Sequence, residues 1–347
     1  MTASQRGLPR PVAAPPEPEP EAPSLVSPAP PPPAATGQGR AAWAAAQRYA
    51  RRSMAPATLR AYRADWRHYA AWCEAAGLVP LPAAPATVGA YLASLAETHA
   101  PTTLRRRLAA IGQMHRYNGL GWNPGHLEIR ATLKGVLAEH GRPLRQAAAI
   151  RLAELRRLVE TCDDGPAGRR DRALLLLGFA GALRRAELVA LDVADVVPTP
   201  EGLRLRIRRS KTDQQRAGAE IGIPRGRHPA TCPVRAVEAW RVALVHRSGP
   251  LFRRISKAGR IGHDRLWPDA VRFLLLRRAR LAGLRVEGPE GLTAHGLRAG
   301  FITEAYDRGI RDEDIMRHSR HRDLRTMRGY VRRARLVGES PAGLVGL

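Results

Sequence analysis

Leu203-Arg204-Leu205-Arg206-Ile207-Arg208 alternates strictly, with an aliphatic residue at every odd position and arginine at every even one. Successive side chains of a strand point to opposite faces, so this stretch reads as a half-buried strand, apolar on one side and cationic on the other. Ala219 to Ile223 can pair with it, which makes Lys211 a hairpin residue. Around the hairpin the apolar period changes from two to three and four, the signature of a helix with one buried face. Leu152 to Thr161, Arg170 to Ala180, Pro233 to Arg247, Asp264 to Ala282, Thr293 to Arg308, Asp312 to Ser319 and Leu324 to Arg335 read as helices. Residues 149–337 are therefore expected to form a mixed α/β, mostly helical domain with a small antiparallel sheet.

Upstream, residues 41–139 are helical throughout. Ala57 to Ala75 carries Leu59, Tyr62, Trp66, Tyr69 and Trp72 on one stripe, and Ala86 to Glu97 turns Val88, Tyr91, Leu92 and Leu95 inward. A third helix is expected to start at Thr102, its hydroxyl capping the first turn after Pro101, with Leu104, Leu108, Ile111 and Met114 inside. A fourth covers Leu127 to Glu139. This is a small all-helical domain, and the chain as a whole is mainly α. Residues 140–148, with Gly141 and Pro143, read as a linker, and residues 338–347 as a C-terminal tail. Residues 1–40 are rich in Pro and Ala and too poor in large apolar groups to offset ordering entropy, which predicts a disordered tail.

Lys and Arg total 57 against 31 Asp and Glu, a net charge of +26. That excess favours a polyanionic partner, most simply nucleic acid, and predicts binding that weakens steeply with salt. Lysine occurs only at Lys134, Lys211 and Lys257, a bias that GC-rich coding produces; it explains arginine in place of lysine but not the shortage of acids. Cys73, Cys162 and Cys232 are far apart and have no CxxC or Cys/His ligand spacing, which points to a reducing cytosol and away from structural zinc. The apolar run Ala173 to Leu183 is too short to span a bilayer, and the N-terminus has no charged-then-apolar signal pattern. A soluble chain that stays in the cytoplasm is the expectation.

Phosphodiester cleavage without a metal needs a nucleophile, cations for the non-bridging oxygens and a proton donor for the leaving 5′-oxygen. Tyr330, in Met327-Arg328-Gly329-Tyr330-Val331-Arg332, offers the nucleophile, although a tyrosine on a helix is more often half-buried packing. Arg184 follows a buried apolar segment, which would fix its guanidinium for bidentate phosphate contact; Glu187 lies one turn on and could orient an imidazole or an arginine, or simply form an intrahelical pair. His295 and Arg298 are spaced i, i+3 and share one helical face. Lys211 places an ammonium on the hairpin tip, as a proton donor or as a solvated side chain. His321 stands nine residues before Tyr330 across the start of the last helix, with His318 as a rival. Arg105, Arg106 and Arg107 are expected on the outer side of the third helix, either as a solvated face or as DNA phosphate contacts.

The order Arg184, Lys211, His295-x-x-Arg298, His321, Tyr330 resembles the tyrosine recombinase (phage integrase) family. The resemblance is carried by Leu183-Arg184-Arg185-Ala186-Glu187, Ser210-Lys211-Thr212-Asp213, His295-Gly296-Leu297-Arg298 and the nine-residue step from His321 to Tyr330, and it covers nearly all of the chain except the tail. It implies a helical, SAM-like core-binding domain over 41–139 and a catalytic domain over 149–337. It implies that Arg184 and Arg298 bind the scissile phosphate, Lys211 is the general acid, His295 a general acid/base, His321 a phosphate ligand and Tyr330 the nucleophile of a covalent 3′-phosphotyrosine, with Glu187 supporting Arg184. No cofactor is implied. The partners would be double-stranded DNA and three further copies, assembled as a homo-tetramer on paired sites and passing through a Holliday junction, at the nucleoid. The 40-residue leader leaves no room for a folded arm-binding domain, which favours a simpler recombinase for integration or excision of a mobile element, and the apolar residues after Tyr330 suggest a tail that docks on a neighbour. One position departs from the family: glycine usually precedes the second histidine, and here it is Arg320, so the turn is expected to be shaped differently. A DNA-binding regulator that has lost cleavage, a relaxing topoisomerase and a basic RNA-binding protein are the competing readings; a covalent adduct and strand exchange between two sites separate them.

Overall fold

The computed structural model describes residues 36–141, 148–208, 218–244, 247–286 and 292–334. Lys211, the tail up to residue 35, most of the 140–148 linker and residues 338–347 lie outside these. The chain divides into two compact units, Met1–Leu144 and Arg145–Leu347.

The first unit is helical: α1 (Gly37–Arg52), α2 (Pro56–Ala75), α3 (Pro85–Ser94), α4 (Pro101–Tyr117) and α5 (Leu127–His140). The helix α1 begins four residues inside the stretch expected to be tail. Proline opens α2, α3 and α4, where its missing N–H is one the helix could not have bonded anyway and its fixed φ suits the first turn. This corrects the expectation for Thr102, which lies inside α4 behind Ala100 and Pro101 and makes no cap. The expected stripes meet in one core of Trp66, Tyr69, Val88, Tyr91, Leu92, Leu104, Ile111 and Met114, with Leu59, Tyr62, Trp72 and Leu108 packed partly buried at its edge.

The second unit begins with α6 (Leu152–Glu160), α7 (Pro166–Ala180) and the short α8 (Arg185–Ala190). A three-stranded antiparallel sheet follows, β1 (Val196–Thr199), β2 (Gly202–Ile207) and β3 (Ala219–Pro224), in the order β1-β2-β3. In β2 the odd residues Leu203, Leu205 and Ile207 are buried and Arg204 and Arg206 exposed, as the alternation requires. Then come α9 (Pro233–Ala243), the hairpin β4 (Arg253–Ile255) and β5 (Ile261–Arg265), α10 (Pro268–Leu281), α11 (Gly296–Asp307), α12 (Asp312–Ser319) and α13 (Leu324–Ala334). The helix expected from Asp264 starts four residues later: residues 261–265 are a strand closed by a turn at Gly259 (φ +74°), and Pro268 sets the helix start.

The helix α7 is the centre of the second unit. Leu174, Leu175, Leu176 and Leu177 are all buried, and α9 and α11 pack against this helix. A buried ion pair, Arg278 Nε to Asp171 Oδ2 at 2.9 Å, ties α7 to α10. The start of α11 lies hard against residues 148–150: Ile150 N–H donates to the Gly296 carbonyl (2.9 Å), and a Cβ on Gly300 would sit 1.9 Å from the Ile150 oxygen. Ile302, Ala305, Ile315, Met327 and Val331 form a smaller core joining α11, α12 and α13. Among the described residues, no helix is long and apolar enough to cross a membrane.

Candidate active site

Arg184 is placed by a tight turn. After α7 ends at Ala180, Ala182 takes a positive φ of 44° while fully buried, and the Leu183 amide donates back to the Gly178 carbonyl at 3.0 Å. Arg184 thus stands just before the first turn of α8, four residues past the end of α7. Glu187, 4% exposed, folds back on it: one carboxylate oxygen accepts the Arg184 amide (2.9 Å) and the other accepts Nη1 of the same residue (2.7 Å). The carboxylate closes the helix start and fixes the guanidinium together.

The first turn of α11 supplies His295 and Arg298. Arg298 is 1% exposed; its Nη1 donates to the Ala182 carbonyl at 2.6 Å, and its Nη2 lies 3.2 Å from both ring nitrogens of His321. Ser319 Oγ, buried, is 2.7 Å from His321 Nδ1. Tyr330 lies on α13 between the buried Met327 and Val331, with Asp323 accepting the amides of Arg325 and Thr326 at the helix start. The Tyr330 hydroxyl reaches His295 Nε2 at 2.7 Å, and the His321 ring centre is 5.8 Å from the tyrosine ring centre. Arg184, Glu187, His295, Arg298, His321 and Tyr330 are thus gathered by three separate segments. His318, the rival, is turned away: its Nε2 bonds the Ala180 carbonyl (2.7 Å) and its ring stacks on Phe301.

The turn between α12 and α13 corrects one expectation. Arg320 has φ 60° and ψ 42°, the left-handed conformation a glycine would adopt, so the turn is not reshaped by the arginine. Its buried guanidinium donates to Glu187 Oε2 (2.9 Å) and to the carbonyls of His318 (2.9 Å), Ala182 (3.2 Å) and Gly181 (3.3 Å). Sequence reasoning marked Arg320 as a departure and missed it, with Ser319, as part of the site. The signal was present: an arginine where the backbone calls for glycine must have a partner for its side chain.

The electrostatics are those of a site short of negative charge. Burial, then the Arg298 and Arg184 cations, lower the His321 imidazole to about 3. His295 is lowered too, by loss of water on its protein side and by Arg298 and Arg184, although its outer edge remains exposed. Arg298 is pulled down by burial and by Arg184 and Arg320. Burial pushes the Glu187 carboxyl up, but Arg320, and then Arg184 through hydrogen bonds and charge, outweigh it and hold the group ionised. Burial raises the Tyr330 phenol against the opposing pull of Arg298 and Arg184. An anion set among these groups would relieve the mutual repulsion of the cations.

The three consecutive arginines of α4 do not act alike. Arg105 is exposed. Arg106 is half-exposed but grips Asp65 with two bonds, 2.7 and 2.9 Å. Arg107 is a correction: it is buried, not on the outer side, and bonds the Tyr91 hydroxyl and His68 Nδ1 within the first unit's core. The four-residue turn of a helix brings Arg107 onto the same face as Leu104 and Ile111.

The model of the Phage integrase family matches residues 148–335. An integrase/recombinase xerD homolog of Selenomonas ruminantium is 34% identical over 301 residues, covering 85% of this chain and 87% of the relative. Tyrosine recombinase XerD of Ralstonia nicotianae is 25% identical over 279 residues, 80% of this chain and 84% of its own. Among solved structures, a lambda integrase dimer bound to a COC′ core site shares the fold with a TM-score of 0.57 at 17% identity, over 82% of this chain and 92% of that one. The XerH recombinase bound to a difH substrate does so with a TM-score of 0.52 at 18% identity, over 74% and 73%. This chain belongs to the phage integrase family.

Proposed function

We propose that this protein is a site-specific tyrosine recombinase, which cuts and rejoins double-stranded DNA through a covalent 3′-phosphotyrosine. The observation that carries the reading is the Tyr330 hydroxyl, 2.7 Å from His295 Nε2, beside the Arg184 and Arg298 guanidiniums. With its pKa raised, the phenol is neutral at physiological pH and needs a base; His295, with its own pKa lowered, is a neutral imidazole able to take that proton. The phenolate oxygen attacks the scissile phosphorus, and the bond from phosphorus to the 5′-oxygen breaks. Arg184, Arg298 and His321 hold the non-bridging oxygens as charge builds on them. Lys211 is assigned the proton delivered to the leaving 5′-oxygen. Religation is the same displacement run by a 5′-hydroxyl, so the bond energy stays in the phosphotyrosine throughout.

Exchange between two duplexes then requires four protomers and a Holliday junction, the assembly named for a lambda integrase tetramer of the same fold (TM-score 0.55). Integration or excision of a mobile element, in the cytoplasm at the nucleoid, is the biological task we assign. Arg105 is retained as a DNA phosphate contact of the first unit; Arg106 is retained only through the part of its guanidinium that Asp65 leaves open.

The test begins with duplexes recovered by binding selection from a randomised pool. The selected sequence is rebuilt as a nicked suicide substrate and incubated with the protein in a chelator. A protein–DNA adduct on denaturing gels that disappears with Tyr330→Phe is the expected result. Tight binding to the same duplex without any adduct would overturn it in favour of a regulator that binds and does not cut.

A further inference from the structure

Arg320 stands in a backbone conformation that disfavours it. At φ 60° and ψ 42° the Cβ of any L-residue crowds the chain, and glycine alone is free of that strain. The position is therefore held by what the side chain does. That side chain is 9% exposed and runs from the α12–α13 turn back to the α7–α8 turn.

Two of its contacts fall on groups that also hold Arg184 and Arg298. Glu187 divides its oxygens: Oε1 takes Arg184 Nη1, while Oε2 takes both the Arg184 amide and Arg320 Nη2. The Ala182 carbonyl accepts from Arg298 Nη1 and also from Arg320 Nη2. A third and a fourth bond, to the carbonyls of Gly181 and His318, pin the guanidinium between the two turns. The ring of His321, one residue on, is held by Ser319 on the other side of the same turn.

We infer that Arg320 is a positioning residue for strand cleavage: it holds Glu187 through the oxygen that also takes the Arg184 amide, and so fixes the Arg184 fork bound to the other oxygen, and with it the α7–α8 turn, against the scissile phosphate. The inference rests on the recombinase reading above. Without Arg320, Glu187 keeps Arg184 as a partner but loses the bond that ties the pair to the α12–α13 turn. The Arg320 charge also helps, with Arg184, to keep that carboxylate ionised against its burial. Arg320 does not need to touch DNA to act; it acts through Glu187 and Ala182.

Arg320→Gly is the informative variant, because it removes the guanidinium and relieves the backbone strain together, leaving the turn free to keep its shape. On the selected suicide duplex, single-turnover cleavage by Arg320→Gly is expected to fall about 10- to 100-fold, the scale of a misplaced catalytic group, with binding affinity within about threefold of wild type. The decisive comparison uses a duplex whose scissile phosphate carries a methyl in place of one non-bridging oxygen. That linkage is neutral and has less need of a correctly aimed cation, so the deficits of Arg320→Gly and of Arg184→Ala should shrink together. A merely structural role for Arg320 would leave its deficit the same on both substrates. Glu187→Gln added to Arg320→Gly should cost little more than either alone. Wild-type rates in Arg320→Gly, an undiminished deficit on the neutral linkage, or additive losses with Glu187→Gln would each overturn the inference while leaving the recombinase reading intact. Failure of the wild-type protein to form any adduct would remove the recombinase reading, and this inference with it.

Discussion

Glu187→Gln tests whether one carboxylate neutralises the cation cluster. The substitution preserves size and leaves one oxygen to accept, but it removes the charge and turns an NH2 group toward Arg184 or Arg320. Glu187 accepts from the Arg184 amide at 2.9 Å, from Arg184 Nη1 at 2.7 Å and from Arg320 Nη2 at 2.9 Å. Breaking a buried ion pair from one side costs about 3–5 kcal/mol. Arg184 keeps 21% of its side-chain exposure, so water recovers part of that loss, and about 2–4 kcal/mol is the expected deficit. For a unit the size of Arg145–Leu347, that lowers the melting midpoint by roughly 4–16 °C. The assay is thermal melting of wild type and Glu187→Gln at pH 7, in chloride and in sulfate at matched ionic strength. With Glu187 neutralised, Arg184, Arg298 and Arg320 should bind a divalent oxyanion more tightly than in wild type, so sulfate should narrow the gap between the two proteins. A melting midpoint unchanged in Glu187→Gln would refute the neutralising role. So would a gap that sulfate leaves as wide as chloride does.

Three further predictions concern pH and packing. Cleavage should be level across neutral and mildly alkaline pH and decline only below the ordinary histidine value, as His295, its pKa lowered, takes up a proton and can no longer accept one from Tyr330; in His295→Gln the rate should be lower, with that acid limb gone. Stability follows the same sign: His321 is depressed from 6.5 to about 3 in the folded protein, so its neutral form stabilises fully above about 6.5, and that contribution is lost as the pH falls through this window. Chemical denaturation from pH 7 to 4 should show a shallower loss in His321→Gln than in wild type. Gly300→Ala should destabilise the second unit by about 1–3 kcal/mol or more, because the new Cβ meets the Ile150 carbonyl at 1.9 Å and α11 must move; a melting midpoint equal to wild type would show that this contact is not tight.

Much of the fold was legible because its signals are local. The alternation in Leu203 to Arg208 specifies a strand with one apolar face, and the three-and-four spacing from Leu59 to Trp72 specifies a helix with one buried stripe; neither requires knowledge of the partner. Helix starts were less legible. Expectation placed a cap at Thr102, whereas α4 has no side-chain cap and starts on Pro101, and Asp264 was read as helical although Pro268 marks the helix start four residues later. Arg107 shows the same limit from the other side: three consecutive arginines look alike in sequence, but a helix turns each by about 100°, and the third reaches the face that packs on Tyr91.

Residue types, their order and their spacing were enough to nominate Arg184, His295, Arg298, His321 and Tyr330, since strand-cleavage chemistry restricts which groups can serve. They could not show that the Ala182 carbonyl is shared by two arginines, that the Tyr330 hydroxyl meets His295, or that His321 and not His318 faces Arg298. Nor could they show that Arg320 completes the clamp on Glu187. Those facts join the α7–α8 turn to α11 and the α12–α13 turn, more than a hundred residues on, and α11 to α13, 35 residues apart. Backbone pattern follows from the preferences of neighbouring residues, whereas the aim and charge state of a buried guanidinium depend on which distant segments the folded core presses against it.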